Sequence, residues 1–267
     1  VRLPVASLTL LTTFFVGFQS VAHEFWLEPL SYRVAPGDDI QAKTINGEDF
    51  SGVEFSYSPR AFEQSGIVSG NTRNTIPGKS GDRPAITVSP AGPGLNILYH
   101  ASSMSVLTYP NMEKFESFLR GKKLDWGIAA HRARGLSEDQ PREAYFRMVK
   151  ALVAVGDGAG QDTFVGLPYE LVAKTNPYTT SGDVTVQLLR SREPVPNYPI
   201  YVFRRTNGKV TKLDLKTDGA GNVVVPRGPG GEFMVNAVDL SEPSQRIKDE
   251  ANAEWQTIWA ALTYEAK

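Results

Sequence analysis

The chain has 267 residues, no cysteine and a formal charge of −1, with 41% apolar and 21% charged side chains. That balance describes an ordinary folded protein rather than a disordered one, and it leaves no basic footprint for nucleic acid. Without thiols, disulfides and cysteine nucleophiles are excluded, and any transition-metal site must draw on His, Asp, Glu and main-chain amine.

The first 22 residues read as an export signal. Arg2 precedes an apolar run from Val5 to Phe18, and Ser20-Val21-Ala22 places small residues at the two positions a signal peptidase inspects. The run is about 14 residues long, short of the roughly 20 that a membrane span needs. Residues 1–22 are therefore expected to be a cleaved signal peptide, with His23 as the first residue of the working protein. A terminal histidine offers an α-amine and an imidazole that can chelate one ion together, which an internal histidine cannot do.

Residues 23–110 read as a β-sandwich of short strands and turns. Ser31–Pro36 leads into the turn Pro36–Asp39, and Ile40–Ile45 runs up to the turn signal Asn46-Gly47. Val53–Ser58 alternates as a half-buried strand would, Ser65–Arg83 reads as turns and loop, and Ala85–Val88 and Leu95–His100 resume strand character. Residues 111–156 read as a helical insertion. Asn111 caps a helix carrying Phe115, Phe118 and Leu119 on one face, and Asp125 caps a second running to Arg134. Ser137-x-x-Gln140 resembles a capping box, and a third helix from Pro141 to about Val155 would bury Tyr145, Met148, Val149 and Leu152.

Residues 157–267 follow the linker Gly156–Asp162 and read as a second sandwich. Its strands are Tyr169–Lys174, Asp183–Leu189, Pro199–Arg204, Asn222–Val225, Glu232–Val238 and Ile258–Tyr264, with Glu242–Gln256 as an exposed excursion. The expected fold is mainly β: two Ig-like or transthyretin-like sandwich domains with a helical insertion between them.

Several blocks resemble a known family. His23–Pro29 (HEFWLEP) after the leader, LTYPNMEKFESFL, LDWGIAAHRARGL, REAYFRMVKALVAVG, GLPYELVAKTNPY, TDGAGNVVVP and the terminal WQTIWAALTYE are similar to the DUF4198 proteins. The resemblance implies a periplasmic accessory role beside nickel and cobalt uptake systems, with inner-membrane transporter components as partners and no established reaction. Members of the family often carry Ala-Val-His where this chain has Ala237-Val238-Asp239. The stretch Val184–Val238 also resembles transthyretin-type and other Ig-like domains, a likeness of fold alone.

The three histidines, His23, His100 and His131, bound the transition-metal chemistry. Imidazole and amine nitrogens suit nickel, cobalt, copper or zinc. His23 would supply two nitrogens, Glu24 a carboxylate, and His100 or His131 could complete the set through the fold. The plain structural alternatives are a His100 bonded to main chain at a strand edge and a His131 packed inside its helix. The run Arg132, Arg134, Arg142, Glu143, Arg147, Lys150 reads as a solvated helix face with Glu143 and Arg147 paired, the alternative being a site for an anionic metal chelate. Motifs for a nucleophile elbow, a zincin, a P-loop or a dinucleotide fold do not occur. The expected function is a non-enzymatic protein binding nickel or cobalt, as the ion or as a chelate. A copper-dependent oxidative enzyme built on the terminal histidine, or a metal-free interaction module, are the alternatives.

Overall fold

The computed structural model describes residues 23–62 and 64–266; the expected leader lies outside the described residues. In chain order the first elements are β1 (Glu24–Pro29), β2 (Arg33–Val34), β3 (Ile40–Glu48), β4 (Ser51–Phe55), β5 (Gln64–Ser69), β6 (Thr72–Thr75), β7 (Ile86–Val88), β8 (Gly94–Ala101) and β9 (Ser105–Thr108). Helices α1 (Met112–Gly121) and α2 (Trp126–Ala133) follow, then β10 (Arg142–Val155), β11 (Tyr169–Ala173), β12 (Val184–Arg190), β13 (Glu193–Pro194) and β14 (Pro199–Thr206). The chain ends with β15 (Lys209–Lys216), β16 (Asn222–Val225), β17 (Gly231–Ser241), α3 (Gln245–Ala251) and β18 (Trp255–Ala266).

A ten-stranded sheet in the order β15-β14-β17-β18-β10-β8-β5-β6, with β2 and β9 also paired to β10, forms the central layer. Its middle is a parallel pair, β10 and β18, in register from Glu143↔Trp255 to Ala151↔Thr263. Strands from both halves of the chain thus share one sheet. A smaller sheet, β1-β3-β4 with β7, covers one face, and β11-β12-β13 with β16 covers the other.

The alternation of side chains along β10 decides what meets what. Val149, Ala151 and Val153 pack with Trp26, Leu27, Ile40 and Ile67 on the N-terminal side. Met148 and Leu152 pack with Leu171, Val186, Leu188 and Leu262 on the other. The mainly β sandwich architecture expected from the sequence is the one observed. Helices α1 and α2 also form, the first with the Asn111 side chain accepting from Lys114 N–H as its cap, whereas Asp125 precedes α2 in helical backbone and makes no side-chain cap hydrogen bond. They lay Phe115, Phe118 and Leu119 over Trp255 and Trp259 of β18.

The expected third helix is instead β10. A strand buried on both faces presents a continuous apolar run, and the run Met148–Val155 satisfies a helical spacing equally well. Its β-branched Val149, Val153 and Val155 favour the extended form. The turn expected at Asn46-Gly47 also moves. Both residues lie inside β3, and the hairpin closes at Asp49-Phe50, where φ is +51° and +57°, the left-handed pair of a two-residue turn. Glycine at position 47 has another reason: a Cβ there would lie 2.0 Å from the Ser51 carbonyl oxygen across the hairpin. The stretch read as loop contains the β5–β6 hairpin, and the polar excursion contains α3, with Ile247 and Ala251 buried.

The expected linker holds a buried ionic knot. Lys150 Nζ, from the face of β10 opposite Val149, lies 2.7 Å from Asp162 Oδ1, 3.0 Å from Glu170 Oε1 and 3.1 Å from the Thr163 carbonyl. Glu170 also accepts from the main-chain N–H groups of Val165, Gly166 and Leu167, and Asp162 from that of Ala173. The segment after β10 is thereby strapped to the sheet.

Candidate functional site

A cavity of about 270 Å³ opens between the N-terminal sheet and the central one, lined by His23, Phe25, Phe62, His100, Tyr145 and Arg147 among others. Strand alternation explains the membership. His23, the residue before β1, and Phe25 in it fall on the same side of the extended chain, whereas Glu24 points the other way.

His100, near the end of β8, is 1% exposed. Its Nδ1 lies 2.9 Å from Ser65 Oγ, and its ring lies 4.3 Å from Phe62 and 5.9 Å from Phe25. Burial lowers its pKa to about 4, so the ring is neutral at pH 7. In the tautomer that donates Nδ1–H to Ser65, Nε2 carries the free lone pair a metal ligand needs. His23 is half-buried. Its Nδ1 lies 3.2 Å from Glu48 Oε1 without hydrogen-bond alignment, and Glu48 is 58% exposed at its side chain.

The structure places the other candidates elsewhere. Glu24 is buried in an ion pair with Lys122 at 2.6 Å. His131 is 0% exposed; Trp255 Nε1 donates to its Nδ1 at 3.0 Å, and its Nε2 lies 3.0 Å from the Ser137 carbonyl. Because indole N–H only donates and a carbonyl only accepts, the ring is the Nε2–H tautomer with both nitrogens engaged. Replacing His131 by alanine is expected to cost about 2–4 kcal/mol by stranding the buried indole N–H and opening a cavity. Urea unfolding measures this, and a loss below about 1 kcal/mol would contradict the bracing role. Asp239 pairs with Arg190 and lies 3.4 Å from the Tyr198 hydroxyl. Burial raises its carboxyl pKa, and it does not line the cavity.

Arg147 joins the site where the sequence reading had a solvated helix face. It projects from the same face of β10 as Val149 and is 6% exposed. Its guanidinium lies 4.2 Å over the Trp259 ring and 4.9 Å over that of Tyr145, and its Nη1 is buried without a hydrogen-bond partner. Burial lowers its pKa to about 10, and Glu143 and Glu24 act on it only through space. The expected Glu143–Arg147 pair does not form, because Glu143 accepts from Tyr109 Oη at 2.6 Å and from Thr257 Oγ1 instead. Burial is also the main cause raising the Glu143 pKa.

Among the described residues no three His, Asp or Glu side chains converge as a metal-holding group. The cavity therefore offers two imidazoles beside an arginine. No helix among the described residues is long and apolar enough to cross a membrane. No protein of curated function matches the chain. A family model for a domain of unknown function, DUF4198, matches residues 20–239, and the chain belongs to that family.

Proposed function

We propose that this protein is an exported, periplasmic accessory of nickel or cobalt uptake, which holds its cargo at the cavity between His23 and His100 and passes it to an inner-membrane importer without catalysing a reaction. One observation carries the reading: two of the three histidines, from β8 and from the residue before β1, line the same cavity. The third has both nitrogens engaged in the core. With cleavage after Ala22, the amine and imidazole of His23 and the imidazole of His100 would give the cavity up to three nitrogen donors, of the kind suited to nickel, cobalt, copper and zinc.

The test starts with mass spectrometry of the mature N-terminus. Metal titration then compares the form beginning at His23 with one extended by a single alanine, which keeps both side chains and displaces the amine. The His23 form is expected to bind nickel at least about tenfold more tightly, because a direct ligand should matter no less than a group supporting one. Equal affinities overturn the terminal chelate. Copper preference with turnover under reductant would favour the oxidative enzyme, and no ion binding by either form the metal-free module.

A further inference from the structure

We infer that the cavity takes its ion as a chelate with a small organic carboxylate, and that the buried guanidinium of Arg147 receives a carboxylate group of that chelator. The inference rests on the metal-binding reading above and adds the chemical class of the ligand.

Three features carry it. The first is donor count. Two imidazoles and one amine leave part of the coordination shell of nickel or cobalt open, since such ions take at least about four ligands. Among the described residues no three His, Asp or Glu side chains form a metal-holding group, so the open positions fall to water or to a co-ligand. The second is space. A cavity of about 270 Å³ far exceeds a bare ion or a single water, whose share of liquid volume is about 30 Å³. It has room for a small organic acid.

The third feature is Arg147 itself. A buried cation is costly unless it is paired, and none of its neighbours pairs with it directly. Glu143 has its oxygens occupied by Tyr109 and Thr257, and Glu24 is held by Lys122. The guanidinium faces the rings of Trp259 and Tyr145 and the cavity that the residue lines. A planar guanidinium that pairs with no carboxylate among the described residues and lines the cavity matches a carboxylate brought by a ligand. The hydroxyls of Ser103 and Ser105 line the same cavity and can donate to further carboxylate oxygens. The histidines would then hold the metal end of the ligand and Arg147 its anionic end.

Calorimetry on the protein beginning at His23 tests this with three probes: nickel chloride, sodium citrate, and the one-to-one nickel citrate complex. Nickel citrate is expected to bind at least about tenfold more tightly than nickel alone, as a charge-assisted hydrogen bond would provide. Arg147→Met should weaken nickel citrate by roughly 30-fold or more, well beyond any change it makes to the binding of nickel alone. Arg147→Lys, which keeps the charge and removes the fork, guards against a variant that fails to fold and should also weaken the complex. His100→Gln should weaken nickel with and without citrate. Nickel binding that ignores citrate, or folded Arg147 variants that bind nickel citrate as the parent does, overturns this inference and leaves the metal site standing. Failure of the parent to bind nickel in either form overturns both.

Discussion

Replacing Lys150 by methionine is expected to cost about 3–5 kcal/mol, the loss typical of a buried ion pair stripped of one member. The Lys150 ammonium is the only side-chain cation in contact with Asp162 and Glu170 among the described residues, and all three side chains are almost completely buried. Without it two carboxylates face each other in the core. Glu170 keeps three main-chain N–H donors and Asp162 keeps one, so Asp162 is the more exposed to the loss. Urea unfolding at neutral pH measures the change, and adding Asp162→Asn and Glu170→Gln should restore most of it by removing the uncompensated charge. The deficit has a predicted sign with pH. Burial already raises the Asp162 carboxyl pKa, so the folded variant binds a proton more readily than the unfolded chain, and its deficit shrinks as pH falls. A single substitution costing under about 1 kcal/mol would mean that the knot contributes no more than a surface pair.

What the sequence disclosed, and what it hid, follows from the range of the interactions. The alternation of Val184, Val186 and Leu188, and the cap and spacing of Asn111, Phe115, Phe118 and Leu119, are local patterns, and they formed as read. Arg142–Val155 was opaque because burial on both faces erases alternation. That error also misplaced Arg147, since a residue on a solvated helix became one on the interior face of a central strand. The site was legible only as a short inventory of donors. Nothing in the vicinity of His131 signals that Trp255, 124 positions away, will take its Nδ1. Nor does the run Leu95–His100 show that its last imidazole will line the same cavity as the residue before β1. The knot of Lys150 was hidden for the same reason, with Asp162 sitting in a Gly/Asp stretch that resembles any linker.

In metal-free protein, the burial of His100 should make stability fall by about 3 kcal/mol as pH drops from neutral to 4. The folded pKa is lowered from 6.5 to about 4 by desolvation. Above pH 6.5 the ring is neutral in both states and the stability is fully present. Between 6.5 and 4 the unfolded chain takes a proton that the folded one refuses, so unfolding becomes steadily easier. Below about 4 the folded ring also takes a proton and the loss levels off. Carboxylates titrate in the same window, and Glu143, with its pKa raised by burial, works in the opposite direction, so the wild-type curve alone does not isolate the imidazole. The difference between wild type and His100→Phe does. Phenylalanine keeps an aromatic ring between Phe25 and Phe62 and removes the titration. The stability gap between the two proteins, read from urea unfolding with chelator present, should therefore move in favour of the variant by about 3 kcal/mol from pH 7 to 4. A gap that stays constant across that range would place the imidazole in water rather than against the Phe62 ring, and would remove the argument that His100 reaches the cavity as a neutral, ligand-ready base.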